Sequence, residues 1–356
     1  MRDPGRGLTV LDALPPGLMQ AQARRLHEVL PGPTLIHLPG RRVEPLFVSV
    51  LLHGNETSGL QAIQQLLATH AGQTLPRALS ILFGNVEAAG AGLRRLDAQP
   101  DYNRVWPGGV LPDGDPQALA VQRLFAEVLA AMRARKVFAS IDLHNTTGHN
   151  PLYCCVTRLD VAHLQLASLF SRTVVHFRRP EGTQTSAFSK LCPSVACECG
   201  QASDPQGALR AAEFVAAVLQ LAEIPAQPVR SGDVHLFHTV ATVRLREGVS
   251  FSFDGTPAAL RFGAELEWFN FRELAPGTVL AQCAQDAAAC LEVRDENDRD
   301  VGAQFLTRNG DRIELLRGVM PAMLTRDARA VRQDCLCYFM ERVAGATPGS
   351  DPILDH

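Results

Sequence analysis

Leu46-Phe47-Val48-Ser49-Val50-Leu51-Leu52 is a continuous apolar run with β-branched residues, and it reads as a buried strand. It ends in His53-Gly54-Asn55-Glu56-Thr57-Ser58-Gly59, after which Leu60, Ile63, Leu66 and Leu67 recur at helical spacing. Buried strand, polar turn, then helix is the repeating unit of an α/β sheet. Ligand sites of open α/β sheets lie at the carboxyl edge, where this turn falls. His53 and Glu56 stand three residues apart with Gly54 between them, so a tight turn can aim an imidazole and a carboxylate at one point. The plainer alternative is a strand-end histidine beside a first-turn glutamate favoured by the helix dipole.

The same grammar continues outward. Residues 79–83, 137–143, 152–156, 173–177 and 194–199 read as further strands. Pro116 opens a helix carrying Leu119, Leu124, Val128 and Met132, and residues 205–221 read as an Ala-rich helix. Strands alternating with helices predict an α/β fold with a mixed, largely parallel sheet covered by helices. Residues 224–232 resemble a linker. Beyond it the chain is extended over 235–246 and strand-like over 249–253, 265–271 and 278–282, with Gly and Pro turns between. The expected layout is an α/β domain over 1–225, a smaller β-rich domain over 226–345 and a flexible tail over 346–356. The β-rich part is expected to pack over the site and narrow its entrance, because a small-substrate site needs walls that exclude water.

Composition removes several classes of function. Lys+Arg is 34 against Asp+Glu 37, a net charge of −3, which excludes a strongly basic nucleic-acid or membrane-surface binder. All but Lys136 and Lys190 of the basic residues are arginines scattered along the chain, as G+C-rich coding produces. No apolar stretch reaches the roughly 18–20 residues of a membrane span. The start Met1-Arg2-Asp3-Pro4-Gly5 leads into no signal-peptide core. The nine cysteines include Cys154-Cys155 and the spaced pairs Cys197/Cys199 and Cys335/Cys337, without a C-x-x-C motif. They read as buried, reduced thiols in a cytoplasmic protein.

Three further segments carry candidate chemistry. Ser140-Ile141-Asp142-Leu143-His144-Asn145-Thr146-Thr147 is a second apolar strand ending in a histidine. With His53 and Glu56, His144 completes a two-His, one-carboxylate set of the kind that leaves a catalytic metal an open position. Asp142 is placed to orient an imidazole. Asp101-Tyr102-Asn103-Arg104-Val105-Trp106-Pro107-Gly108 is polar and turn-bounded, and Arg104 offers a planar fork for a carboxylate. Val195-Ala196-Cys197-Glu198-Cys199-Gly200 puts a lone carboxylate inside an apolar strand, which is costly unless the group is paired, protonated or functional. The second and third have bland counterparts: a surface loop with an arginine, and an edge-strand glutamate facing solvent.

Taken in order, HGNE, DYNRVWPG, DLHNTT and the glutamate of CECG resemble the succinylglutamate desuccinylase/aspartoacylase family of the zinc carboxypeptidase-like superfamily. The motifs cover roughly residues 45–210. The resemblance implies one zinc per chain held by His53, Glu56 and His144, with Glu198 as general base and proton shuttle. It implies Arg94 as the oxyanion-stabilising arginine, with Arg95 as the alternative, and Asn103 and Arg104 as the binders of the substrate carboxylate. Residues 1–225 would then be a zinc-dependent catalytic domain. It would cleave the amide bond of a small N-acyl amino acid through metal-activated water, yielding a carboxylic acid and an amine. Phe188 stands where aspartoacylase carries an arginine, Lys190 is nearby, and no counterpart of its C-terminal substrate-contacting tyrosine is assigned. The expected partner is a small N-acylated molecule with a free carboxylate, not a nucleic acid or a membrane, and a homo-oligomer is compatible. The same zinc shell also serves a metallocarboxypeptidase acting on peptides, and the same fold could carry a non-catalytic metal-binding module.

Overall fold

Leu46–Val50 form the buried end of strand β3 (Gly40–Val50), and their alternate residues face two different cores. A computed structural model describes residues 7–111, 114–230, 232–283 and 287–343; the tail expected over 346–356 lies outside the described residues. In chain order the strands of the large sheet begin with β1 (Thr9–Leu11), β2 (Thr34–Leu38), β3 (Gly40–Val50), β4 (Leu75–Phe83) and β5 (Ala139–His144). They continue with β6 (Tyr153–Val156), β7 (Thr173–His176), β8 (Ser194–Glu198) and β9 (His235–Leu245). The spatial order is β1-β2-β4-β3-β5-β8-β6-β7-β9, followed by Cys337–Arg342 and Met320–Ala322, while Leu291–Asp295 also pairs with β9. The central run β4-β3-β5-β8 is parallel throughout. A mixed, largely parallel sheet is therefore the architecture.

Helices α1 (Ser58–Thr69), α2 (Val86–Ala91), α3 (Pro116–Ala134), α4 (Val161–Ser168), α5 (Gln184–Phe188) and α6 (Pro205–Gln220) cover it. Side chains alternate across a strand. Leu46, Val48 and Val50 accordingly join one core with Leu60, Ile63 and Leu66 of α1 and Val215 and Val218 of α6. Phe47 joins the other with Trp106, Phe125, Val128 and Phe188. Asp115 caps α3 by accepting from the backbone N–H groups of Gln117 and Ala118, and Pro116 supplies the preset φ of a first turn. Trp106 is fully buried, stacked on Phe125 at 4.1 Å and edge-on to Phe188. Trp106→Ala should therefore lower unfolding stability by about 3–5 kcal/mol, read from urea denaturation, because the stack leaves no route for the cavity to collapse.

The second half is not detached from this sheet. β9 pairs in parallel with β7, so the sheet runs on past the segment 224–232, which resembles a linker. A separate five-stranded sheet is built from Phe251–Ser252, Leu260–Arg261, Val279–Cys283, Arg312–Leu315 and Leu306–Asn309, so this part of the chain is β-rich. One expectation is corrected here: 265–271 is not a strand but contains the 3₁₀ turn Leu266–Phe269. Asn270 ends this turn, and the left-handed Phe271 (φ 56°) follows it. The Asn270 amide donates to the carbonyls of His149 and Leu324 and accepts from the Leu324 N–H, substituting for a strand ladder. Among the described residues no helix is long and apolar enough to cross a membrane.

Candidate active site

The turn after β3 is shaped by backbone approach. A Cβ at Gly54 would lie 2.2 Å from the backbone nitrogen of Ala89 in α2, so only glycine permits this packing. The Gly54 N–H donates to the Arg94 carbonyl at 3.0 Å and the Glu56 N–H to that of His53 at 3.2 Å. This folds the HGNE segment so that His53 and Glu56 meet at the carboxyl edge of the sheet. His144 arrives at the end of the neighbouring β5, and Asn145 locks it there. The Asn145 side chain bonds Ser58 at the start of α1 and the Gly200 carbonyl, and its N–H donates to Glu56.

His53, Glu56 and His144 thus form one buried group, with ligand atoms within 4.8 Å of one another. Glu56 sits between the imidazoles: Oε1 lies 2.8 Å from His53 Nδ1 and Oε2 lies 2.7 Å from His144 Nδ1. The far nitrogens face carboxylates as well, His53 Nε2 to Asp101 at 3.1 Å and His144 Nε2 to Asp142 at 2.6 Å. Ser49 donates to the other oxygen of Asp142 at 2.7 Å. With protons on the two Nε2 atoms, both Nδ1 lone pairs are turned on carboxylate oxygens, acceptor against acceptor. Arg94 balances Asp101, but the buried carboxylates of Glu56 and Asp142 beside two imidazoles still call for positive charge, from protons on the rings or from a cation. Burial disfavours a charged His144, yet Asp142 and Glu56 prevail and hold its pKa well above the ordinary value. Neutral imidazole nitrogens plus one carboxylate, with outer carboxylates fixing ring orientation, are a donor set that fits zinc.

Glu198 closes β8 in register with His144 on one side and Tyr153 on the other. Its Oε2 is buried and has no hydrogen-bond partner among the described residues. Burial, opposed by His144 and reinforced by Glu56, pushes the carboxyl up to about 7. A carboxylate so placed is poised to take and return a proton.

Arg94 and Arg95 part company. Arg94 lines the pocket and donates from Nε and Nη2 to Asp101, at 3.1 and 2.9 Å, while Arg95 is turned to the carbonyls of its own loop, including Gln99 at 2.9 Å. Asn103 is fixed at both ends of its amide: Oδ1 accepts from the Gln184 N–H at 2.8 Å, and Nδ2 donates to Asp142 at 3.3 Å. Arg104 donates from Nη1 to the Asn103 carbonyl and from Nη2 to Asp334 at 2.8 Å. Phe188 stacks on Phe47 inside the core, and Lys190 is exposed and does not line the pocket.

All seven expected residues, His53, Glu56, Arg94, Asn103, Arg104, His144 and Glu198, line one pocket of about 750 Å³ including its mouth. Four other lining residues, Tyr153, Cys155, Asp334 and Tyr338, are not singled out by any motif. Tyr153 and Cys155 alternate on a strand and Cys155 stands in the adjacent pair Cys154-Cys155, but neither signal points to a pocket. Asp334 and Tyr338 have none, since they come from beyond residue 225. Thr239, Ala322, Met323 and Met340 from the same half complete the wall.

The family model of the succinylglutamate desuccinylase/aspartoacylase catalytic domain matches residues 44–224, half of the chain. The chain belongs to this family. Solved structures agree on the fold. The succinylglutamate desuccinylase of Chromobacterium violaceum superposes with a TM-score of 0.54 at 15% identity, covering 85% of this chain and 86% of its own. A product-bound ectoine utilization protein from Ruegeria pomeroyi gives 0.55 at 17% identity, covering 87% and 88%. Murine aminoacylase 3 gives 0.50 at 18% identity, covering 85% and 96%. No curated protein sequence matches the chain.

Proposed function

We propose that this family member hydrolyses the amide bond of a small N-acyl amino acid bearing a free carboxylate, with one zinc per chain held by His53, Glu56 and His144. The observation that carries this reading is the convergence of two Nδ1 atoms and the Glu56 carboxylate in a buried pocket beside the unpartnered Glu198. A bound zinc would supply Lewis-acid activation of the amide carbonyl and of water. Glu198 receives the proton released by attacking water at Oε2 and delivers it to the leaving nitrogen. Arg94, its guanidinium braced by Asp101, stabilises charge developing on the carbonyl oxygen; one well-placed donor of this kind is worth about 3–4 kcal/mol. Asn103 and Arg104 hold the substrate carboxylate, and the amide of Asn103 is already oriented by Gln184 and Asp142. In this reading residues 1–225 carry the chemistry and residues 226–345 supply the wall that excludes water. The products are a carboxylic acid and an amine.

Metal analysis of the purified protein and of His144→Ala, with a panel of N-acetyl and N-succinyl amino acids, tests this. About one zinc per chain in the parent, its loss in His144→Ala and turnover of at least one panel member are expected. Unchanged stoichiometric zinc in the variant overturns the ligand set. No hydrolysis of any panel member by zinc-loaded protein overturns the reaction.

A further inference from the structure

Asp334 places a carboxylate of the protein itself against the two arginines of the pocket. It follows the short helix Ala328–Gln333, and its backbone carbonyl is held by Arg244 at 3.2 Å. Oδ1 accepts from Arg104 at 2.8 Å and Oδ2 from Arg94 at 3.4 Å, and the side chain is 14% exposed. Burial opposes its ionisation, but Arg104 and Arg94 hold its carboxyl below the ordinary value, so it is an anion. Two guanidinium groups therefore face two carboxylates, Asp101 and Asp334, and cancel before any substrate enters.

We propose that Asp334 sets the charge selectivity of this site, admitting N-acyl amino acids whose only anionic group is the α-carboxylate and rejecting dianionic ones. This rests on the hydrolase reading above. Of the five N–H groups on Arg104, one bonds the Asn103 carbonyl and one bonds Asp334, leaving donors for a single substrate carboxylate. A second carboxylate near this corner meets Asp334, and like charges brought together in a desolvated pocket are strongly disfavoured. Beyond Arg94 and Arg104 the lining carries one further arginine, Arg179, and its apolar members include Val175, Phe177, Met323 and Met340. Arg179 is 40% exposed, already donates to the Glu296 carbonyl and stands near Glu181. The remaining substrate surface that fits is uncharged.

The test compares N-acetyl-L-methionine with N-acetyl-L-aspartate on the parent, Asp334→Asn, Asp334→Ser and Asp334→Glu. The ratio of kcat/KM values is read for each protein, together with Kd values of L-methionine and L-aspartate by calorimetry. The parent should favour the monoanion in both readouts. The Asn and Ser variants should move each ratio toward the dianion by about tenfold or more, and Glu should restore it. A ratio is insensitive to general loss of active protein, so a merely structural Asp334 would leave it unchanged. Unchanged ratios in either folded neutral variant, or a parent that favours the aspartate pair, overturn the proposal. If neither substrate is hydrolysed while the Kd ratio still shifts, the hydrolase reading fails and the role of Asp334 in charge selection stands.

Discussion

Glu198→Gln should keep the fold and its metal while lowering kcat by about 10²–10⁴-fold, the range that a positioned general acid–base group contributes. The substitution conserves volume in a strand that is buried along its whole length, so packing gives no reason for loss of structure. It changes one property: an amide oxygen at this position cannot hold a proton between water and the leaving nitrogen. Oε2 has no hydrogen-bond partner to lose among the described residues, so the effect should fall on turnover and not on stability. Zinc content and the thermal midpoint should match the parent. Glu198 lies in register with His144 but is not one of the converging ligand groups, which is why metal and turnover should separate in this variant and fall together in His144→Ala. Full activity in Glu198→Gln would make the buried carboxylate structural.

Arg104→Ala should lower kcat/KM for an N-acyl amino acid far more than for its carboxamide, by up to about 10⁴-fold for the acid. A site built around a polar partner discriminates strongly once that partner is removed. Arginine holds a carboxylate through two parallel charge-assisted hydrogen bonds, which a neutral amide cannot reproduce. The variant also leaves Asp334 with Arg94 alone, and that less balanced carboxylate opposes the substrate acid but not its carboxamide, which widens the difference in the same direction. Arg104→Lys should rescue in part, since an ammonium supplies the charge but not the planar fork. Equal losses on acid and carboxamide would assign Arg104 to bracing Asp334, and the substrate carboxylate would need another partner.

Much of the candidate site is legible along the chain because its parts are strand ends. His53, His144 and Glu198 each close a buried apolar run, and such a run announces both the strand and the side chain that emerges at its edge. They converge because β3, β5 and β8 are parallel neighbours, which brings every carboxyl end to one edge. Local chemistry does not separate Arg94 from Arg95. Adjacent residues with the same chemistry differ only in direction, and direction depended on Asp101 standing on one side and the loop carbonyls on the other. Phe188 shows the converse, because its place in the Phe47–Trp106 core depends on neighbours far away in sequence.

By itself the sequence determined the alternating strand–helix units, the two strand-end histidines, Glu56 at its three-residue spacing and the buried glutamate. All of these are local consequences of period, turn chemistry and the cost of burying charge. Only the tertiary structure decided that the sheet continues through β9, that 266–269 turns instead of extending, and that Asp334 faces Arg104 across 230 residues of chain. Local propensity acts over a few residues. The pairing of Asp334 with two arginines is an electrostatic balance inside a closed pocket, and that pocket exists only after both halves of the chain have packed.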